Sequence, residues 1–181
     1  MKKYILIIVV ILQFGCNSSK EIPSKDINVT VPYKETVILL GEANREGFSQ
    51  EPFADWFNEN FDSYEVDSET IEKLKPLLKD VTIKTFIGTW CSDSRRETPS
   101  LYKILDATNF NYKNFTLITV SREKSTPKGF EKNMDIVYVP TIIFYRDGKE
   151  IGRFVEFAQV SLEKDMLAIV SGAGYKHSYE D

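Results

Sequence analysis

The order in which the hydrophobic period changes between residues 81 and 172 constrains this chain more than any other feature. Val81 to Ile87 alternates apolar and polar residues, then turns wholly apolar at Phe86-Ile87, as a strand does. Gly88-Thr89-Trp90-Cys91 ends it, and Leu101, Tyr102, Ile104 and Leu105 follow as the apolar positions of a helix. Phe115 to Val120 reads as another strand, and the mostly polar stretch Lys124 to Met134 is expected to include a short helix. Val137 to Tyr145 is a strand with Pro140 near its start; Asp147-Gly148 is a hairpin turn, and Ile151 to Phe157 pairs back across it. Ser161 caps a last helix that buries Leu162, Met166, Leu167, Ile169 and Val170 and ends at Gly172. Strand, helix, strand, hairpin and terminal helix together imply an α/β fold, a mixed sheet covered by helices.

Upstream, Thr36 to Leu40 reads as a short buried strand. Phe53, Trp56, Phe57 and Phe61 fall on one helical face, a stripe that signifies core packing rather than a ligand box. Asp67 or Ser68 caps a second helix with Ile71, Leu74, Leu77 and Leu78 on its buried side; Pro76 should kink it or end it early. The chain has 181 residues, enough for one domain, and 42% of them are hydrophobic, enough for a normal core. The net charge of -4, with no long Lys/Arg cluster, gives no electrostatic reason to bind nucleic acid. The one histidine, His177, sits in a polar tail that reads as disordered, over 175–181. That excludes His-built zinc sites, Ser-His-Asp triads and Cys-His pairs within the chain, and neither a metal nor a cofactor is expected.

The N-terminus reads as an address. Met1-Lys2-Lys3 is a short basic stretch, and the apolar run from Tyr4 to Leu12 is too short to span a bilayer as a helix. Gln13-Phe14-Gly15-Cys16 then closes it, the layout of a secretory signal over 1–15. A small residue directly before a cysteine resembles a bacterial lipobox, although Gln13 stands where an aliphatic residue is preferred. On that reading Cys16 is lipidated and begins the mature chain, which is anchored at a membrane of the bacterial cell envelope, on a face the sequence does not fix. The alternative is an ordinary cleaved signal with an incidental cysteine. Residues 16–35 read as a flexible tether and 36–174 as the folded domain.

Cys91 is the residue most suited to chemistry. It follows a strand and opens a helix, where backbone N–H groups and the helix dipole favour the thiolate, the reactive form. Trp90 supplies a flat apolar wall, and Ser94, one turn on, can donate a hydrogen bond to the thiolate. Asp93 opposes ionisation, which Arg95 and Arg96 can offset. A second reading makes Ser94 and Glu97 a capping box, with Ser94 as the helix cap and Cys91 outside the helix.

These residues resemble the thioredoxin superfamily. There Trp-Cys-x-x-Cys opens a helix, a proline follows five residues after the second cysteine, and a cis-proline loop lies opposite. This chain has Trp90 and Cys91, then Ser94 in place of the second cysteine, then Pro99; Val139-Pro140-Thr141 matches the cis-proline loop. Arg95, Glu97 and Pro99 are similar to the envelope branch of TlpA-like thiol oxidoreductases. The resemblance covers about residues 80–172 and implies a thioredoxin-like fold, a mixed central sheet flanked by helices. It implies a site at Cys91 and Ser94, supported by Trp90, Val139, Pro140 and Thr141.

Two departures bear on activity. Ser94 removes the resolving thiol of this CxxS motif, and Thr85 stands where the family often has a buried Asp. The implied role is monothiol exchange: isomerisation of disulfides, or release of mixed disulfides, on thiol- or disulfide-bearing envelope proteins or small thiols. The alternative is a non-redox module that binds peptides or proteins in the groove beside the cis-proline. A peroxiredoxin-type site is not matched, because its threonine three places before the cysteine is Gly88.

Overall fold

The computed structural model of the chain describes residues 26–180; the expected signal segment and Cys16 lie outside them. Strands β1 (Thr30–Tyr33) and β2 (Thr36–Leu39) form an antiparallel hairpin, so the C-terminal part of the expected tether is paired strand. Helices α1 (Ala54–Ser63) and α2 (Ser68–Leu77) follow β3 (Gly41–Ala43). The Asp67 side chain caps α2 by accepting from the Thr70 N–H at 2.8 Å, and the helix stops one residue after Pro76. Then come β4 (Val81–Ile87), α3 (Ser92–Ala107), β5 (Phe115–Thr119), β6 (Thr141–Arg146), β7 (Lys149–Val155) and α4 (Leu162–Ser171).

Five strands make the main sheet in the order β3-β5-β4-β6-β7. β4 and β5 run parallel, and the other neighbours pair antiparallel. β4 is central, which explains why its alternation gives way to apolar residues: Phe86 and Ile87 are both fully buried, on opposite faces. Asp147 and Gly148 both take positive φ in the β6–β7 turn, as a two-residue hairpin requires. Gly172, at φ 72°, closes α4.

Side chains at alternate strand positions show how the layers are built. Val81, Ile83, Leu117, Ile142, Phe144 and Phe154 face helical residues drawn from α1, α2, α3 and α4. On the other face Phe86, Ile118 and Ile143 meet Val120, Val139, Phe130, Met134 and Ile136, none of them helical. All four helices therefore pack on one side of the sheet. The opposite side is covered by the irregular connection between β5 and β6.

That connection contains no helix, contrary to the expectation for Lys124–Met134. Its hydrogen bonds are isolated turns, Gly129 N–H to Thr126, Lys132 to Gly129 and Met134 to Glu131. Lys124, Gly129, Asn133 and Asp135 take positive φ, a conformation that no α-helix accepts. The C-terminal segment also differs from expectation. Tyr175 donates to Asp165, Gln159 donates to Ser178, and Tyr179 donates to Glu156, so residues 175–180 are packed on the domain.

Candidate functional site

The end of β4 and the start of α3 are tied by short local bonds. The Cys91 N–H donates to the Gly88 carbonyl at 2.8 Å, and the Cys91 carbonyl accepts the first helical bond, from Arg95. Cys91 is the N-cap residue of α3, with extended backbone, and Ser94 lies within the first turn. The capping-box alternative therefore does not describe this helix. Trp90 lies over Gly88 so closely that a Cβ there would come within 2.5 Å of the indole; its N–H donates to the Val120 carbonyl at 2.9 Å. Glycine at 88 is what leaves room for the indole.

Cys91 is partly exposed, and among the described residues it is the free cysteine. Val139–Pro140 is a cis peptide, and the Cys91 thiol donates to the Val139 carbonyl at 3.3 Å. The loop is braced on both sides. The Thr141 hydroxyl donates to the Tyr138 carbonyl at 2.7 Å, and the Glu156 N–H donates to the Pro140 carbonyl at 2.8 Å. Trp90, Cys91, Val139, Pro140 and Thr141 are thus brought to one place at one end of the sheet, where the C-terminus of β4 lies beside the N-terminus of the antiparallel β6.

Ser94 is placed differently from the expected thiolate donor. It is fully buried, and its oxygen accepts from the Gly88 N–H at 3.1 Å; among the described residues no hydrogen bond joins it to Cys91. Thr85 is also buried, and its hydroxyl has no partner among the described residues. The nearby charges are largely consumed locally. Arg96 holds Asp93 at 2.8 Å and Glu97 at 2.9 Å. Burial pushes the Glu97 carboxyl above its ordinary range, with the Arg96 guanidinium pulling the other way. Arg95 turns under the helix start to the Thr89 carbonyl at 2.7 Å. Arg122 places its guanidinium 5.1 Å from the Trp90 ring centre.

Several residues here carry no signal in the sequence. Phe130, Met134 and Ile136 pack with Trp90 and Cys91 from a segment without hydrophobic period. Tyr179 stacks on Tyr138, with ring centres 4.0 Å apart and planes 11° from parallel, at the shoulder of the cis-proline loop. Only the aromatic spacing of the tail, Tyr175 and Tyr179, could have hinted at packing.

A central parallel β4–β5 pair, an antiparallel β6–β7 hairpin entered through a cis-proline, and a cysteine at the cap of the helix after β4 decide the architecture. The fold is thioredoxin-like. No family model matches the chain. A curated thioredoxin-like protein of Acanthamoeba polyphaga mimivirus is 29% identical over 89 residues, which is 49% of this chain. The match spans 62% of that relative's length. Among solved structures, a protein of unknown function from Pseudomonas aeruginosa superposes with a TM-score of 0.54 at 18% identity, covering 74% of this chain and 94% of its own. An HIV epitope scaffold gives the same values. These two likenesses concern the fold alone.

Proposed function

We propose that this thioredoxin-like chain carries out thiol–disulfide exchange through Cys91 alone, on disulfide- or thiol-bearing partners in the bacterial cell envelope. The observation that carries this reading is the partly exposed Cys91 thiol at the cap of α3, 3.3 Å from the carbonyl that precedes cis-Pro140. The name of the viral relative, a thioredoxin-like protein, agrees with it.

The step balances without an outside oxidant. The Cys91 thiolate attacks one sulfur of a substrate disulfide, the S–S bond breaks, and the second substrate sulfur leaves as a thiolate. The resulting mixed disulfide is resolved when a second substrate thiolate, or a small thiol, attacks the substrate-derived sulfur; the S–S bond breaks and Cys91 leaves as its thiolate. With serine at 94, release requires a thiol from outside the motif. Disulfide isomerisation and removal of mixed adducts are the matching roles. The membrane link is the lipid that the reading assigns to Cys16.

The test uses a disulfide-bridged peptide and the full chain. Wild type should accumulate a mixed disulfide that added thiol releases, and Cys91→Ser should not. If wild type forms no adduct while still binding the peptide, the chain is a peptide-binding module and the exchange reading fails.

A further inference from the structure

The helix-free face of the sheet carries a cleft that the thiol step does not use. It holds about 630 Å³ between the Asp135–Tyr138 stretch, β7 and the C-terminal segment. Thr141, Gly152 and Val155 contribute to its lining from the sheet; Tyr138, Tyr175 and Tyr179 contribute aromatic walls. The lining includes three carboxylates, Asp135, Glu150 and Glu180, against one guanidinium and the His177 imidazole, whose Nε2 lies 3.8 Å from a Glu180 oxygen. That guanidinium, Arg153, is gripped by both oxygens of Glu150, at 2.6 and 2.7 Å, and also donates to the Met134 carbonyl at 2.9 Å. The Arg153 and Glu150 charges cancel, and Asp135 and Glu180 leave the cleft with a negative balance.

Apolar surface adjoins it. Val137 is 55% exposed, Phe157 43% and Tyr179 44%; Val137 and Tyr179 line the cleft together, and Phe157 adjoins Tyr179. Phe157 and Tyr179 have ring centres 6.5 Å apart. β7 is the last strand of the sheet, and among the described residues no strand pairs with its outer edge. The cleft and the thiol also share one short segment: Tyr138 lines the cleft, and the next residue, Val139, receives the Cys91 thiol.

We propose that this cleft binds the stretch of substrate polypeptide next to the disulfide, and that it selects an extended segment carrying Lys or Arg beside an aromatic or aliphatic residue. The position of the segment rests on the exchange reading; binding in the cleft does not. A cationic head group gains from the carboxylates and from the tyrosine faces, while its apolar neighbour covers Val137 and Phe157. An acidic segment would meet like charge and leave the same surface exposed.

The test uses short, cysteine-free fluorescent peptides and the full chain carrying Cys91→Ser. One peptide pairs Lys with Phe; the other has Glu in place of Lys. The Lys peptide should bind about tenfold tighter at low salt, a difference that charge complementarity of this kind can supply. High salt should erode that preference, and so should the double variant Asp135→Asn, Glu180→Gln. Equal binding of the two peptides, or a preference that survives the double variant intact, overturns the proposal. Cysteine-bearing versions with wild type separate the two readings. A charge preference without a mixed disulfide keeps the cleft and removes the exchange reading, and a mixed disulfide without charge preference does the reverse.

Discussion

The Ser94 hydroxyl accepts the Gly88 N–H at 3.1 Å and so fastens the end of β4 to the first turn of α3, directly beneath the cap residue Cys91. A sulfur at that place accepts poorly, so Ser94→Cys should lower stability by about 1 kcal/mol, the net worth of one such bond. It should also form a disulfide with Cys91 under mild oxidation, provided the two Cα atoms lie within about 4.4–6.8 Å. The oxidised variant should then cycle as a dithiol, though slowly, because Thr85 cannot relay a proton. A variant that stays fully reduced under those conditions means that position 94 does not stand where a resolving cysteine would, and the monothiol reading loses its basis. Glu97 gives the residue scale its pH dependence. Burial raises its carboxyl above the ordinary 4.5, so this group favours the folded state most when protonated, and that contribution is lost as pH rises through the folded value. Glu97→Gln cannot ionise, and Arg96 keeps Asp93 as a partner at 2.8 Å. The variant should therefore be more stable than wild type at neutral pH, with the advantage shrinking as pH falls from the raised folded value towards the ordinary 4.5 and gone below it. Denaturant midpoints measured across pH 3–8, the span in which a raised carboxyl titrates, check this; a constant difference refutes it.

At the scale of elements, the first turn of α4 does more than begin a helix. Asp165 is buried and accepts from the Gln159 N–H at 2.6 Å, the Val160 N–H at 3.3 Å and the Tyr175 hydroxyl at 3.2 Å. One carboxylate therefore fixes both the loop that enters α4 and the segment that leaves it. Asp165→Ala would leave two N–H groups unpaired and should cost about 2–4 kcal/mol in denaturant unfolding. A loss below about 0.5 kcal/mol, the size of an ordinary surface change, would show that water replaces the carboxylate at no penalty. None of this was legible in the sequence, where Asp165 is one of several polar residues in an amphipathic helix. What could be read were elements with a strong period and punctuated ends: β4 running into Trp90-Cys91, the Asp147-Gly148 turn, and α4 ending at Gly172. The stretch from Val120 to Pro140 could not be read, because its half-buried residues Phe130, Met134 and Ile136 follow no period and its backbone is set by scattered positive-φ residues. The same holds for Ser94, whose type fits both a thiol neighbour and a cap; only the position of Gly88 decides what its hydroxyl meets.

For the whole molecule, placing four helices on one side of the sheet leaves the other side dependent on irregular chain. The site sits at that seam: Cys91 caps a helix from the helical side, and it packs against the cluster on the other side that includes Val139, whose carbonyl its thiol meets. The C-terminal segment closes part of the uncovered side through the Tyr138–Tyr179 stack and the Tyr175 and Tyr179 hydroxyl bonds. Ala173 already completes the α4 cap through its bond to the Ala168 carbonyl at 3.0 Å, so a chain cut after Gly174 keeps every helix and strand intact. The cut removes the Tyr138–Tyr179 stack, the Phe157–Tyr179 edge contact, the packing of Tyr175 on the core and a few exposed or half-buried hydrogen bonds, about 2–4 kcal/mol in total. The shortened chain should remain folded with a lower denaturant midpoint. Amide exchange should speed up at residues 135–139 and 156–160, the stretches the segment touches, and should stay slow in β4, whose partners lie on the helical side and in β5 and β6. Unchanged protection at 135–139 would mean that the cis-proline shoulder holds its shape without Tyr179, and the segment would then be an ornament of the cleft rather than one of its walls.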